Sequence, residues 1–372
     1  MDIVIVGGGI VGVAAAARLG ADGHAVTLFE KDELGAGTTA TSAAVFSWQE
    51  PRPTRFDHDL RRRAWETYGP LVESGALGYE RIGALSVADS GAVADDLRAA
   101  AGTLREFGLD ARFLSPNELR ERGVEPLDSR GGLYTPEEGY FGVDELVAHF
   151  ARVARESGAR IRTGEEVTGV RTDDGAVIGV ETAADPVPAD AVVNAAGPWA
   201  TRLNDMAGAS LPLRHTRGPI LVVESSAPVE VPFALFESKL YVRPYGENRA
   251  FVGRYATDYA DGETLSPDEP GGVDGGFRTD ALDFVREAIP ALADATVADE
   301  WVGIRTVTPD GRPIVGETGV EGYLVACGMS GLGVTLAPAV ADLLAAGLGP
   351  ESPPEALSRL SPARFSDADG AR

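Results

Sequence analysis

Lysine is almost missing from this chain. Of its 33 basic residues only Lys31 and Lys239 are lysines, and 57 acidic residues bring the net charge to −24. That excess argues against a nucleic-acid backbone as the main partner. With arginine carrying nearly all the positive charge, the composition reads as that of a GC-rich genome and a salt-adapted, halophilic cytoplasm. Cysteine occurs once, at Cys327, so no intrachain disulfide framework is available. The four histidines, His24, His58, His149 and His215, are scattered without metal-ligand spacing, and no G-x-S-x-G elbow or paired-cysteine motif occurs. Long apolar runs are absent too. The most apolar late stretch, 322–348, is broken by Pro338, Asp342 and several glycines, and reads as strand, loop and helix rather than a membrane span. No signal-like segment precedes the first motif, so the expected location is the cytoplasm. A length of 372 residues suggests two domains.

What is present is concentrated at the start. Residues 2–6 are apolar and short, as in a buried strand, and Gly7, Gly9 and Gly12 spell G-x-G-x-x-G at its exit. The alanine-rich run from Ile10 to Leu19 continues as a helix, and a second strand, 25–29, ends in Glu30. This is a dinucleotide-binding pattern. Gly7 permits the turn, Gly9 lets a pyrophosphate approach the backbone, and Gly12 lets helix and strand pack closely. The N–H groups of Ile10 and Val11 at the helix start face the phosphates, and Glu30, followed by Lys31, lies where a carboxylate accepts from a ribose hydroxyl. The next stretch is rich in small and hydroxyl residues, and Thr38, Thr39, Thr41 and Ser42 are expected to donate hydrogen bonds to a cofactor.

Farther along, helical spacing predicts helices over 59–73, 92–107, 143–157 and 280–289, and a strand over 81–87. Ser115-Pro116-Asn117-Glu118 reads as a capping box. Asp173-Asp174-Gly175 reads as a hairpin turn between strands 166–171 and 177–182. Residues 191–194 form a buried strand running into a Gly-Pro break, 211–255 are β-rich, and 257–276 are a long acidic loop. A second glycine-rich loop, 328–333, precedes a final helix.

Taken in order, VVNAAGPWA at 192–200, YVRP at 241–244, GIRTVTPDGRPIVGE at 303–317 and YLVACGMSGLGVTLAPA at 323–339, with the opening motif, resemble the D-amino-acid oxidase family of flavoproteins, the group with glycine oxidase and sarcosine oxidase. The resemblance implies an α/β fold in which an FAD-binding Rossmann-like domain (1–80, 142–208, 297–350) is interleaved with an α+β substrate domain on an antiparallel sheet (81–141, 209–296), followed by a tail, 351–372. It implies that Arg305 holds a substrate carboxylate and that Tyr241 faces the pocket. Around FAD it places Val167, Ala196, Gly197, Trp199, Gly303, Gly328, Met329, Ser330, Gly331, Leu332, Gly333, Val334 and Thr335. Gly303 stands where sarcosine-oxidase-like members carry a flavin-tethering cysteine, which implies non-covalent FAD. No lysine stands in 251–255, where some relatives have one near the flavin. The implied reaction is oxidation of the C–N bond of a D-amino acid, glycine or N-alkyl glycine by hydride transfer to flavin N5, with oxygen or another acceptor taking the electrons.

Two alternatives stay open at this stage. One is a 2-hydroxy acid dehydrogenase on the same scaffold, which would want a base such as His58 or His215. The other is a non-catalytic FAD-binding subunit of a larger complex. The composition is also compatible with a homo-oligomer. Self-repulsion at this charge is screened by salt. The melting temperature is therefore predicted to rise from dilute buffer to molar KCl, and a flat or falling trend would contradict the salt-adapted reading.

Overall fold

In the computed structural model, which describes residues 1–365, the opening run forms the strand Asp2–Val6, and the helix Ile10–Ala21 follows it directly after the glycine turn. This strand sits inside a six-stranded sheet, paired in parallel with Ala25–Glu30 on one side and Ala191–Asn194 on the other. Arg160–Thr163 and Tyr323–Cys327 extend the two edges in parallel, and Ile314–Glu317 closes one of them antiparallel. The near-continuous apolar runs of these strands are explained by cover on both faces. Helices Ile10–Ala21, Val143–Glu156 and Gly333–Leu348 pack on one face. Helix Ala200–Ala207 and a small sheet of Val167–Asp173, Ala176–Thr182 and Val187–Pro188 cover the other.

The second sheet has eight strands, in the order Thr296–Val307, Arg214–Glu224, Arg249–Arg254, Leu240–Tyr245, Phe233–Phe236, Ala84–Ala88, Gly131–Thr135 and Arg112–Leu114. It is antiparallel except where Phe233–Phe236 meets Ala84–Ala88. Its side chains alternate cleanly. Leu221, Val223, Val242 and Val252 pack toward helix Gly275–Ala288, while Ile220, Phe233, Tyr241 and Phe251 share the opposite face. That opposite face is the one turned to the first sheet.

Several expectations need correction. Residues 297–307 fell in the cofactor segment of the sequence division, yet strand Thr296–Val307 pairs with Arg214–Glu224 along its length and lies in the second sheet. The expected helix at 59 starts at Arg55, because Thr54 Oγ1 caps Asp57 N at 3.2 Å. The helix expected at 280 starts at Gly275, where the Asp274 carboxylate accepts from Gly276 N and Phe277 N at 2.8 and 3.2 Å. In both cases a side-chain cap outweighs weak helix propensity. The strand expected over 81–87 splits into Tyr79–Arg81 and Ala84–Ala88 at Gly83, whose φ of +69° breaks the ladder. Within the expected tail, helix Glu355–Leu360 buries Leu357 and Leu360 against the first sheet's core, and 366–372 lie outside the described residues. Among the described residues no helix is long and apolar enough to cross a membrane.

The closeness of the first strand and helix depends on Gly12, where a Cβ would lie 1.9 Å from the Gly7 carbonyl oxygen. Gly12→Ala is predicted to force the two apart and cost about 1–3 kcal/mol, read as a lowered denaturant midpoint. An unchanged midpoint would show that the contact is not a constraint.

Candidate active site

Between the C-terminal ends of the parallel strands and the apolar face of the second sheet lies a cavity of about 390 Å³, open to solvent at its mouth. Open α/β sheets bind ligands at this edge. The cavity gathers almost every residue singled out in the sequence. Gly7, Gly9, Ile10, Val11, Glu30 and Lys31 line one end with Val167, Ala196, Gly197 and Trp199. Gly328 through Thr335 line it farther along with Thr38, Thr39, Thr41 and Ser42, and Gly303, Arg305 and Tyr241 face it from the second sheet. Gly12 is not on its wall; it lies beneath Gly7.

Two helices begin at this cavity, and both lack a side-chain cap and first-turn acids. Helix Ile10–Ala21 starts after Gly9, and Gly333–Leu348 starts after Leu332. Each presents partly unsatisfied backbone N–H groups and a positive dipole end, so each favours negative charge. Ile10 N is the exception, since it donates to Thr39 Oγ1 at 3.1 Å. The hydroxyl loop departs from expectation. Thr38 Oγ1 donates to Ile304 O at 2.9 Å, Thr41 Oγ1 to Thr38 O at 3.2 Å and Ser42 Oγ to Thr39 O at 2.8 Å. A chain of turns needs its own carbonyls satisfied; these three protons are spent inside the protein, and only Thr39 is left free to donate. The Glu30 carboxylate accepts from Gly8 N at 2.6 Å and Asp32 N at 2.9 Å, which fixes it on the cavity wall. Lys31 Nζ lies over the Trp199 ring at 4.3 Å and 3.8 Å from Asp268, an acid of the 257–276 loop.

Arg305 and Tyr241 owe their positions to glycines that sequence reading passed over. Arg305 pairs across the ladder with Thr216, and its side chain lies flat over Gly218, where a Cβ would stand 2.8 Å from Nη1. Tyr241 lies in the same way across Gly253, where a Cβ would stand 2.5 Å from its ring and hydroxyl. Arg305 Nη2 donates to Arg254 O at 2.9 Å. Its Nη1 is buried and has no partner among the described residues. Burial holds this guanidinium below the usual arginine range, with Tyr241 pulling the other way, while burial raises Tyr241 above the usual tyrosine range. A buried charged donor without an acceptor is costly unless something else fills the role.

The comparisons with known proteins bear directly on this arrangement. Residues 2–346 match the family described as FAD dependent oxidoreductase (DAO). The chain belongs to that family. Glycine oxidase of Geobacillus kaustophilus (strain HTA426) is 28% identical over 365 residues, covering 92% of each chain. Sarcosine oxidase subunit beta of Arthrobacter sp is 28% identical over 397 residues, covering 100% of this chain and 93% of its own. Among solved structures, L-proline dehydrogenase from P. horikoshii superposes with a TM-score of 0.88 at 23% identity, covering 99% of this chain and 98% of that one. The last likeness speaks for the fold.

This enzyme is therefore an FAD-dependent oxidoreductase, and its cavity fits the cofactor. The glycine turn leaves Gly9 with only Thr39 Oγ1 near a would-be Cβ, at 3.2 Å. The two helix starts suit the pyrophosphate and the electron-accepting end of the flavin. Neither histidine raised as a base lines the cavity. His58 packs at a tilt between Trp48 and Phe107, and His215 Nδ1 lies 3.3 Å from Thr306 Oγ1. Cys327 is 1% exposed, and burial pushes its thiol up to about 12, which suits a packing residue.

The bed beneath Arg305 yields a prediction. Gly218→Ala should lift the guanidinium from its place and weaken carboxylate binding about tenfold or more, with the FAD spectrum unchanged. Unaltered binding would mean that Gly218 does not set the position of Arg305.

Proposed function

We propose that this enzyme oxidises the C–N bond of a small amino acid, a D-amino acid, glycine or N-alkyl glycine, held through its carboxylate by Arg305. The observation that carries this reading is the buried, partnerless Nη1 beside the Gly328–Gly333 loop. A carboxylate is the natural complement, since it is planar, anionic and able to accept from a guanidinium edge. The names of the relatives support the substrate class: one oxidises glycine and another is a subunit of a sarcosine oxidase.

Arg305 fixes the carboxylate, and the adjoining α-carbon is thereby oriented toward the loop and the start of helix Gly333–Leu348. The Tyr241 hydroxyl, which makes no hydrogen bond among the described residues, is free to bind the same carboxylate or the amine. Ile220 and Phe233 exclude water from this end, which strengthens the ion pair. No His, Asp or Glu of the described residues lines the second sheet's side of the cavity, so the amine reacts in its neutral form and needs no side-chain base. When bound, FAD supplies the two-electron acceptor. The resulting imino acid is hydrolysed by water.

Non-covalent attachment of FAD follows from Gly303, where even a Cβ would meet Thr41 Oγ1 at 2.8 Å. Acid precipitation should release free FAD; flavin that stayed with the protein pellet would contradict this. For the substrate site, hydrogen bonds to charged groups are worth about 1.5–3 kcal/mol each. Arg305→Ala should therefore lower kcat/KM on the amino acid by roughly two orders of magnitude while FAD stays bound. Arg305→Lys should recover only part, because a point charge lacks the planar fork. Wild-type preference for a plain amine over the amino acid would require the assignment to be withdrawn.

A further inference from the structure

Resting on the carboxylate reading of Arg305, we propose that the preferred substrate is a monocarboxylic amino acid with an uncharged, apolar side chain or N-substituent. Ile220, Phe233, Leu235 and Tyr241 are the residues that set this preference.

The register of the second sheet places one continuous row beside Arg305. Trp301 pairs with Ile220, Ile220 with Gly253, Gly253 with Tyr241, and Tyr241 with Leu235. Directly paired residues share a face, so this row crosses five strands on the cavity side. Ile220, Tyr241 and Leu235 line the cavity, and so does Phe233, whose ring centre lies 5.6 Å from that of Tyr241. Gly253 leaves the middle of the row free of a side chain of its own, and the Tyr241 ring fills that space. The Arg305 guanidinium lies over Gly218, and the next residue of that strand on the same face is Ile220. Any group extending from the α-carbon along this sheet therefore meets hydrocarbon and the phenols of Tyr241 and Tyr255.

Charge is distributed in the opposite sense. The other charged side chains of the cavity wall, Glu30, Lys31, Asp32, Glu165, Glu166 and Arg202, come from the first sheet's side, near the glycine turn. Arg305 is the one charged residue contributed by the second sheet among the described residues. The nearest rival is Arg243, on the same face of Leu240–Tyr245 as Tyr241. Its guanidinium is stacked on Tyr140 at 4.1 Å and Phe251 at 4.3 Å, and it does not line the cavity. A second carboxylate on the substrate would be desolvated with no cation to meet it, and a side-chain ammonium would find no anion.

The test uses the FAD-loaded protein with two readouts. Calorimetric titration with acetate, propionate, butyrate and valerate should show affinity rising about threefold to fourfold per added methylene, while succinate and glutarate bind at least tenfold more weakly than butyrate. Anaerobic bleaching of the flavin should follow the same order across aliphatic, acidic and basic amino acids. Leu235→Arg should flatten the chain-length series and bring glutarate up at least tenfold. If that variant does not fold, the wild-type series alone decides. An affinity independent of chain length, or dicarboxylates binding more tightly, would overturn the proposal. Carboxylates that bind with the expected slope while no amino acid bleaches the flavin would uphold the apolar wall and overturn the amino-acid reading beneath it.

Discussion

The arrangement turns on one uncompensated charge. Arg305 is held in place by a single hydrogen bond to a backbone carbonyl, and its other terminal nitrogen is buried with no acceptor among the described residues. Elsewhere arginines find other partners: buried Arg243 lies between the rings of Tyr140 and Phe251, its Nη1 donates to Pro244 O at 3.2 Å, and its Nε has no acceptor among the described residues. Arg61 reaches Ser47 O, Asp57 O and Glu50, and Arg312 holds both oxygens of Asp57 at 2.8 and 2.7 Å. A protein with 57 acidic residues could easily have placed one beside Arg305. Its site keeps a positive charge in a poorly solvated wall instead, which makes sense if an anion from outside completes it.

The fold serves that charge through absent side chains. Gly218 and Gly253, on neighbouring strands, let Arg305 and Tyr241 lie along the sheet rather than stand away from it. The cavity beyond them is thereby kept open. On the opposite side, Gly7 and Gly12 bring the first strand and helix together, and the helix start then faces the same cavity as the start of Gly333–Leu348. Two positive helix ends and one unpaired guanidinium therefore surround a space suited to an anionic cofactor and an anionic substrate.

How much of this could be read in the sequence depends on whether the signal is local. The glycine turn, Glu30 and the final glycine loop are contiguous patterns, and the structure places them around one cavity. Arg305 was reachable because it sits inside a recognisable run, GIRTVTPDGRPIVGE. Gly218 and Gly253 were not, because their meaning lies in cross-strand register, which joins residues far apart in the chain. The row from Trp301 to Leu235 was hidden for the same reason. The hydroxyl loop misled because composition reveals donors but not the carbonyls they find. The start of helix Gly275–Ala288 was missed because two glycines outvoted the Asp274 cap, and the second-sheet partners of Thr296–Val307 went unseen because ladder partners cannot be counted from one strand.

The central claim is that a carboxylate completes Arg305, and it is tested most directly by a crystal structure of the FAD-loaded protein soaked in a small aliphatic monocarboxylate. The account predicts one carboxylate oxygen about 2.7–2.9 Å from Arg305 Nη1, with the alkyl group against Ile220 and the Tyr241 ring. An Arg305 that had turned to pair with a protein carboxylate, or a ligand seated elsewhere in the cavity, would contradict it.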